Sequence, residues 1–519
     1  MAEPYYLTTA IHYPNGKPHI GHAYETIAAD VMARFQRQRG REVRFQTGTD
    51  EHGLKMAQKA RELGKSPREL ADEMSGYFRD LFEVLDISYD RFIRTTDDDH
   101  HRASQAIWQA MSDKGDLYLD RYEGWYSVRD EAYYDEKELV EGQGGEMLSP
   151  QGTPVEWTEE ETWFFRLSRY AEPLLELLNT PGFLEPTSRR NEMIAFVERG
   201  LQDLSVSRTS FDWGVQVPGS EGHVMYVWVD ALTNYITGLG YPDGGELWEK
   251  FWPADLHLIG KDIVRFHTIY WPAFLMSADL PLPKKVFGHG FLLNRGLKES
   301  KSLGNVTDPM ELAEKFGVDA LRYFLMAEVT FGQDGSYSAE ALVNKVNAEL
   351  ANSFGNLAQR TLSMISKNMD GKLVPFDTNA DDRALLATVK EASAHILPRE
   401  FEALNFSVGI EAWLKAVFAC NAYVDEQAPW TLKKTDPERM NAVLQTLFMA
   451  IRDLAIAIQP VIPTKSAAVL EQLGVGQGHR SYDDIADNSW FSALAASGHF
   501  IDKPTPIFPR LELPEPEAV

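Results

Sequence analysis

The sequence predicts an α/β protein with a parallel sheet, a small α+β insertion within it, and an all-α helix bundle after it. Short apolar runs alternate with helical patterns on both sides of residues 116–225, where aromatic and acidic patches with short strands intervene. Such alternation is typical of parallel sheets. Beyond about residue 340 the pattern is almost wholly helical, which indicates a bundle. The predicted segments are 1–115, 116–225, 226–338 and 339–519.

Composition limits the class of protein. The 519 residues exceed what one core usually holds. Contents of 44% hydrophobic and 25% charged residues are those of a soluble globular protein. No apolar run reaches the length of a membrane span, and the N-terminus lacks a signal-peptide pattern. The single cysteine, Cys420, excludes an internal disulfide and a multi-cysteine zinc site, and it fits a reducing cytoplasm.

The net charge of −26 opposes non-specific binding of nucleic acid, because a polyanion is repelled at long range. A nucleic-acid partner would need a locally basic face and contacts that depend on its shape.

Individual elements follow from hydrophobic periodicity. Predicted strands cover 5–10, 42–47, 224–229, 255–260 and 285–290. Predicted helices before the bundle cover 66–85, 98–114 and 316–327. Predicted bundle helices cover 339–367, 381–397, 407–426, 436–459 and 464–473, and the proline-rich end is predicted as strand or tail.

The segment 13–22 (YPNGKPHIGH) connects the first predicted strand to a helix whose apolar residues recur every fourth position from Ile27. A helix N-terminus attracts anions, and Gly21 would let a ligand approach the backbone. His19 and His22 could donate hydrogen bonds to phosphate oxygens. The alternative is that both histidines only cap or pack the turn.

A second segment, 296–305 (GLKESKSLGN), carries two lysines among serines and glycines. Lys298 and Lys301 would suit a loop that follows a phosphate chain. Taken alone, the segment is more typical of a solvated surface loop.

Together the two segments resemble the two signature motifs of class I aminoacyl-tRNA synthetases, and the flanking residues narrow the resemblance to the methionyl-tRNA synthetase family. The resemblance covers nearly the whole chain. It implies a Rossmann-like catalytic domain, a connective insertion and a helical anticodon-binding domain. The implied reaction activates L-methionine with ATP to methionyl-adenylate. The enzyme then transfers methionine to tRNA(Met), including the initiator tRNA, and releases pyrophosphate and AMP.

By resemblance, catalysis rests on positioning and charge neutralisation by His19, His22, Lys298 and Lys301. Lys301 is the residue expected on the triphosphate, and Mg²⁺ would accompany ATP. Glu299 stands where relatives usually have methionine, and we expect it to point outward. The ATP-binding residues implied are Gly21, Gly260, Asp262, His289, Gly290, Ser300 and Lys301.

A methionine pocket is implied by a second set of matching residues. Aromatic walls suit a thioether, because polarisable sulfur packs well against rings. Asp50 follows a predicted strand and would bind the substrate ammonium. The implied set is Ile11, Tyr13, Asp50, Trp228, Ala231, Tyr235, His267 and Trp271. For each aromatic residue taken singly, core packing is the alternative.

The insertion differs from that of many relatives, which carry a cysteine-rich zinc knuckle. No Cys or His occurs between Tyr122 and Trp163, and Ser127 and Asp130 stand where a Cys-x-x-Cys pair is expected. We therefore expect no structural zinc, and we expect packing by Trp125, Tyr126, Tyr133, Tyr134 and Trp157.

Anticodon recognition is expected in the bundle, from Asn356, Arg360, Pro429 and Trp430. Trp430 could stack on a base, and Asn356 and Arg360 could donate to base edges. The alternative for Trp430 is burial inside the bundle. The expected partners are tRNA(Met), methionine and ATP, with no membrane. We expect a cytoplasmic monomer, since the dimerising C-terminal module of some relatives is absent.

Three other functions would fit parts of the sequence. A class I synthetase for a branched aliphatic amino acid usually has a larger insertion with an editing site. A tRNA-binding protein without catalysis would not need both signature segments. A plain nucleotidyltransferase of similar fold would not explain the helical domain.

Overall fold

The computed structural model describes residues 2–130, 132–142, 145–294 and 307–513. The strands are β1 Pro4–Thr9, β2 Glu42–Thr49, β3 Arg91–Arg94, β4 Leu117–Ser127, β5 Ala132–Tyr134, β6 Val140–Glu141, β7 Met147–Leu148, β8 Glu156–Phe165, β9 Leu184–Glu185, β10 Leu204–Ser205, β11 Ser207–Arg208, β12 Val224–Met225, β13 Leu256–Gly260, β14 Val286–His289, β15 Leu292–Asn294 and β16 Gly335–Tyr337.

The first eleven α-helices are α1 Ile20–Gln38, α2 Leu54–Glu62, α3 Pro67–Val84, α4 Asp98–Asp113, α5 Ala171–Asn179, α6 Thr187–Glu198, α7 Val227–Thr237, α8 Glu246–Phe251, α9 Trp271–Ser277, α10 Pro309–Phe316 and α11 Val318–Glu328. Those that follow are α12 Ala339–Val346, α13 Asn356–Asn368, α14 Ala380–Lys390, α15 Leu397–Glu402, α16 Phe406–Gln427, α17 Pro429–Thr435, α18 Pro437–Ile458, α19 Pro463–Gln472 and α20 Asn488–Ala496.

A six-stranded parallel sheet in the order β3-β2-β1-β13-β14-β9 forms the centre of the molecule. Strand β1 pairs with β2 on one side and with β13 on the other, so the chain order reverses beside β1. In open α/β sheets, ligands bind at such a reversal, beyond the carboxyl ends of the strands. The parallel sheet and the helical C-terminal region confirm the predicted fold class.

The insertion is built on a four-stranded sheet of order β10-β8-β4-β5, in which β4 and β8 form a long antiparallel ribbon. Aromatic pairs pack within this sheet, Trp125 with Trp157 across β4 and β8, and Tyr126 with Tyr133 across β4 and β5. The buried Arg208 guanidinium lies over the Tyr133 ring at 4.4 Å, an attractive cation–π geometry. Strand β9, also from this part of the chain, forms the edge of the central sheet.

The predicted strand 224–229 is wrong for most of its length. Only Val224–Met225 is extended, and it pairs antiparallel with β11 in a separate two-stranded sheet. Tyr226 then caps helix α7, which begins at Val227. A short apolar run cannot distinguish a buried strand from a buried helix, and here every residue of the helix except Trp228 is buried.

The C-terminal helices pack around α18, whose residues are buried almost without interruption. By length and composition α18 could cross a membrane, but 94% of its most apolar window is buried inside the protein. Helices α17 and α20 were not predicted. The proline-rich end packs on the bundle, where Leu511 N donates to Asn347 Oδ1 at 2.8 Å.

Candidate functional site

The two signature histidines cap helix α1. Gly21 N donates to His19 Nδ1 at 3.1 Å, and His19 N donates to His22 Nδ1 at 3.0 Å. This reciprocal arrangement is a capping box, so both histidines do cap the helix. Because both Nδ1 atoms accept, each neutral ring carries its hydrogen on Nε2. Capping therefore fixes the tautomer with an Nε2–H donor and leaves a phosphate-binding role open.

A cavity of about 250 Å³ lies beside this helix end. It is lined by His19, Gly21 and His22 from the first signature, by Gly260 and Asp262 after β13, and by His289 and Gly290 after β14. The structure thus brings together every predicted ATP-site residue within its described part. They meet at the carboxyl ends of adjacent strands, where the sheet order reverses.

An ion pair that the sequence analysis missed forms part of the cavity wall. His289 Nε2 lies 2.8 Å from Glu25 Oε2, and His289 Nδ1 lies 2.8 Å from Gly290 O. Burial would lower the pKa of His289, but the hydrogen bond and charge of Glu25 outweigh it and raise that pKa. The other oxygen, Glu25 Oε1, is buried and has no hydrogen-bond partner among the described residues. A buried acceptor of this kind is suited to a ligand hydroxyl.

The predicted aromatic pocket centres on Tyr235 and His267. Tyr235 Oη lies 2.6 Å from His267 Nε2, while His267 Nδ1 lies 2.9 Å from Ile263 O. A carbonyl oxygen only accepts, so Nδ1 carries the hydrogen. Burial lowers the pKa of His267 to about 4. Around neutral pH the ring is therefore neutral, and Tyr235 Oη donates to Nε2.

Other predicted pocket residues surround this pair. The Trp271 ring lies 6.1 Å from Tyr235, and the Trp228 ring lies 6.1 Å from His267. Trp228 stacks on Phe266 at 3.8 Å, a contact the sequence analysis missed. Ala231 is buried in the same helix as Trp228 and Tyr235.

Three predicted residues lie toward the β2 side of the sheet. Ile11 lies just after β1, next to His12, whose N–H donates to Gly48 O. Asp50 directly follows β2, is 8% exposed, and its N–H donates to His12 O at 2.9 Å. Tyr13 packs against a small separate cluster with Met56 and accepts a hydrogen bond from Met56 N. Tyr235 belongs to a different and much larger cluster.

The lysine segment lies outside the described residues, and so do the predicted positions Lys298, Glu299, Ser300 and Lys301. The residues on both sides of it are described. Asn294 Nδ2 donates to Thr307 Oγ1 at 3.0 Å, and Thr307 O accepts from Ile20 N at 3.2 Å. The described residues on either side of it, Asn294 and Thr307, therefore lie beside the capped end of α1.

In the bundle, the structure brings two predicted anticodon residues together. The Arg360 guanidinium lies 5.7 Å from the Trp430 ring centre and 3.5 Å from Asp425 Oδ1. Trp430 is 47% exposed, so the alternative of a buried tryptophan is excluded. Asn356 lies one turn before Arg360 and is exposed, while Pro429 is buried at the first position of α17.

The predicted Ser127–Asp130 pair belongs to a polar cluster in the insertion. Asp130 Oδ2 accepts from Ser149 Oγ at 2.6 Å, from Thr153 Oγ1 at 2.5 Å and from Tyr134 Oη at 3.0 Å. Ser127 Oγ lies 2.7 Å from Thr153 Oγ1. The spacings Ser-x-x-Asp and Ser-x-x-x-Thr could have suggested this pairing. Across the described ranges, no group of three or more His, Cys, Asp or Glu side chains is arranged to hold a metal ion.

Two protein-family models match the chain. The model described as tRNA synthetases class I (M) matches residues 5–362. The model described as the anticodon binding domain of methionyl tRNA ligase matches residues 377–517.

Individual relatives match over nearly their whole length. A methionine–tRNA ligase of Brucella suis is 56% identical over 510 residues, covering 98% of each chain. One of Rhizobium meliloti is 53% identical over 518 residues, covering 99% of each. The crystal structure of Mycobacterium tuberculosis methionyl-tRNA synthetase bound by methionyl-adenylate has a TM-score of 0.93 and 50% identity, covering 98% of this chain and 100% of that one. The free-state structure has a TM-score of 0.88.

Proposed function

The chain belongs to the methionyl-tRNA synthetases of class I, and on that premise we propose how its residues carry out the reaction. It uses ATP to activate methionine and charges tRNA with it. The carboxylate that attacks the α-phosphorus belongs to methionine, and pyrophosphate leaves. The protein therefore has to position two substrates and neutralise charge.

The observation that carries the proposal is that both sites contact strand β13. The cavity at the capped end of α1 is lined by Gly260, the last residue of β13, and the Tyr235 ring of the aromatic pocket lies 4.2 Å from the His257 ring in the same strand. ATP bound in the first and methionine in the second would place the reacting atoms between them. His19 and His22, each with an Nε2–H donor, are the groups we assign to the phosphates.

Lys298, Ser300 and Lys301 are assigned to the triphosphate, with Lys301 as the main cationic contact. The support is their match to the second signature motif and the anchoring of the flanking residues Asn294 and Thr307 beside α1. Mg²⁺ is proposed to arrive bound to ATP, as part of the substrate complex. Gly21, Gly260, Asp262, His289 and Gly290 are assigned to the nucleoside and α-phosphate side.

Methionine is proposed to bind with its ammonium on Asp50 and its side chain against the aromatic pocket. A neutral His267 with Tyr235 donating to it gives the pocket a fixed hydrogen-bonding state and no net charge. An uncharged thioether is suited to such a wall. The assigned walls are Ile11, Tyr13, Trp228, Ala231, Tyr235, His267 and Trp271.

The tRNA is proposed to be tRNA(Met), initiator tRNA included, read at its anticodon by Asn356, Arg360, Pro429 and Trp430. The exposed Trp430 beside the Arg360 guanidinium supports stacking of a splayed base. Ala428 adopts a left-handed conformation (φ 42°) directly before Pro429, which fixes the turn that presents Trp430.

We also propose that the insertion needs no zinc, because Ser127, Asp130, Ser149 and Thr153 hold it by hydrogen bonds. Monomeric action is supported by the presence of both signatures, the pocket and the anticodon residues in one chain. We also propose a cytoplasmic location without membrane association, which the ATP and tRNA substrates support.

Charging of transcripts tests the proposal. Incubation with methionine, ATP and Mg²⁺ should aminoacylate initiator and elongator tRNA(Met) transcripts, and an altered anticodon should lower kcat/KM by orders of magnitude. Charging that ignores the anticodon, or none with methionine, would overturn the proposal.

A further inference from the structure

Helix α7 has one face toward the aromatic pocket and a second, polar face turned roughly 125° away from it. At 100° per residue, one side of the helix carries the predicted pocket residues Trp228, Ala231 and Tyr235. The other side carries Asp230, Asn234 and Thr237, all buried. Burying a polar side chain costs free energy unless it is hydrogen-bonded. The hydrogen-bond partners of these three residues therefore show which elements this face of the helix holds.

Asp230 is the central residue of the polar face. It is 0% exposed, and each carboxylate oxygen meets a different histidine. Oδ2 lies 2.6 Å from His52 Nδ1, and Oδ1 lies 2.7 Å from His100 Nε2. Burial would raise the pKa of Asp230, but attraction to His52 and hydrogen bonds from both rings hold it well below its usual value. The carboxylate is therefore charged and joins three elements: α7, α4 and the turn after β2.

The turn after β2 is the one that carries Asp50. His52 lies two residues after Asp50, and the intervening Glu51 is held by Arg94 at 2.7 and 2.9 Å. Trp213 Nε1 also donates to Glu51 O at 2.6 Å. The two residues that follow the proposed ammonium-binding Asp50 are thus both held in place, Glu51 by Arg94 and His52 by Asp230.

The rest of the polar face is tied to the same strand and to α4. Gln46 Nε2, in β2, donates to Asn234 Oδ1 at 2.8 Å and to Asn234 O at 2.9 Å. His100 Nδ1 lies 3.2 Å from Thr237 Oγ1. Two of the contacts on this face therefore set α7 against β2, which ends at Thr49, directly before Asp50.

We propose that Asp230 is a positioning residue for methionine recognition, which sets the distance between the pocket walls on α7 and the ammonium-binding Asp50. It touches neither substrate and acts through His52 and the helix. This inference rests on the proposed function. Truncating or neutralising a buried charge in such a network shifts the groups it holds, and small displacements of binding groups are costly.

The test compares Asp230→Asn with the wild type in ATP–pyrophosphate exchange. The amide keeps the size of the side chain but offers only one acceptor, so one histidine loses its partner. We expect KM for methionine to rise about tenfold, equivalent to about 1.4 kcal/mol, with KM for ATP within about twofold. The preference for methionine over its linear isostere norleucine should fall several-fold.

A matched control separates positioning from stability. Asp382 is another buried carboxylate, hydrogen-bonded to Tyr423 and Arg439 in the bundle. Asp382→Asn should leave KM for methionine unchanged even if it lowers the melting temperature.

Thr237→Val removes a single hydroxyl from the polar face and should raise KM for methionine two- to threefold. It decides the question if Asp230→Asn yields no soluble enzyme.

The possible results are distinct. A raised KM for methionine in Asp230→Asn or Thr237→Val, with KM for ATP unchanged, supports the inference. If KM for methionine is unchanged in every soluble variant and only the maximal exchange rate falls, because fewer molecules are active, the inference is overturned while the proposed function stands. No methionine-dependent exchange by the wild type overturns the proposed function and this inference with it.

Discussion

The backbone amide of Ile20 donates to the carbonyl of Thr307 at 3.2 Å, and this contact links the first signature segment to a residue just after the second. Ile20 lies between the signature histidines, and Thr307 directly follows residues 295–306, which contain the lysine segment 296–305. Asn294, directly before that segment, donates to Thr307 Oγ1. The described residues on either side of the lysine segment, Asn294 and Thr307, are therefore held where the histidines cap α1, which suits joint binding of one triphosphate.

Replacing His22 by asparagine should separate capping from catalysis. The amide oxygen of the new side chain can replace Nδ1 as the acceptor for His19 N, but no group replaces the Nε2–H donor. Adenylate formation should fall about 10²–10³-fold. Urea denaturation should show little loss of stability, since the capping hydrogen bond is kept.

His22→Ala serves as the matched variant, because it removes the cap as well. It should be as inactive as His22→Asn and less stable by about 1 kcal/mol. Near-normal adenylate formation by His22→Asn would show that the ring only caps the helix.

Acid should destabilise the protein through His267. The pKa of His267 is lowered to about 4 by burial, whereas the unfolded chain titrates near its ordinary value of 6.5, so the unfolded state binds the extra proton first. The loss of unfolding free energy caused by His267 is absent above about pH 6.5 and grows as pH falls toward 4. At about pH 5 proton linkage makes this loss about 2 kcal/mol.

Urea denaturation of the wild type and His267→Gln at about pH 7 and about pH 5 measures this effect. The wild type should lose about 2 kcal/mol more than the variant on acidification. Equal losses would show that His267 titrates normally in the folded protein.

Trp430→Ala should weaken tRNA charging and spare methionine activation. The indole is exposed and lies beside Arg360, so its removal takes away a surface on which a base can stack. Loss of this stacking weakens tRNA binding by about 1–3 kcal/mol and should lower kcat/KM for tRNA about 10–100-fold. Phe418→Ala removes another aromatic ring of the bundle with similar exposure, 49%, and should change charging little. An equal loss of pyrophosphate exchange in Trp430→Ala would make its role structural.

Thr153→Val should destabilise the insertion. Thr153 Oγ1 is a buried donor to Asp130, and its loss leaves the carboxylate one partner short, which costs about 1–3 kcal/mol. Thr180→Val makes the same chemical change at an exposed site and should leave the stability of the protein unchanged.

Metal analysis of the wild type should find no stoichiometric zinc. Finding stoichiometric zinc would refute the proposal that hydrogen bonds alone hold the insertion.

Local signals in the sequence were enough to predict the secondary structure around the first signature and the positions of most bundle helices. The strand β1, Gly21 and the apolar periodicity of α1 all act within a short stretch of chain, so pattern and structure agree there. The parallel arrangement of the central sheet also follows from the alternation of apolar runs and helices. Helix α17 was missed because it has only 7 residues.

Contacts between distant residues could not be predicted from one sequence. Glu25 and His289 are 264 residues apart, and His52 and Asp230 are 178 apart. Nothing in local periodicity pairs such residues, although a charged residue in an otherwise buried helix, as at Glu25 or Asp230, signals that a partner exists. The strand predicted at 224–229 failed for a related reason, because burial on all sides removes the periodicity that marks a helix.

Amino-acid-dependent ATP–pyrophosphate exchange, run with each of the standard amino acids, tests the central claim most directly. We predict exchange with methionine alone, and Lys301→Ala should lower it by orders of magnitude with little change in melting temperature. Exchange supported by a branched aliphatic amino acid, or by none, would contradict the account. Near-normal exchange by Lys301→Ala would contradict the joint action of the two signature segments.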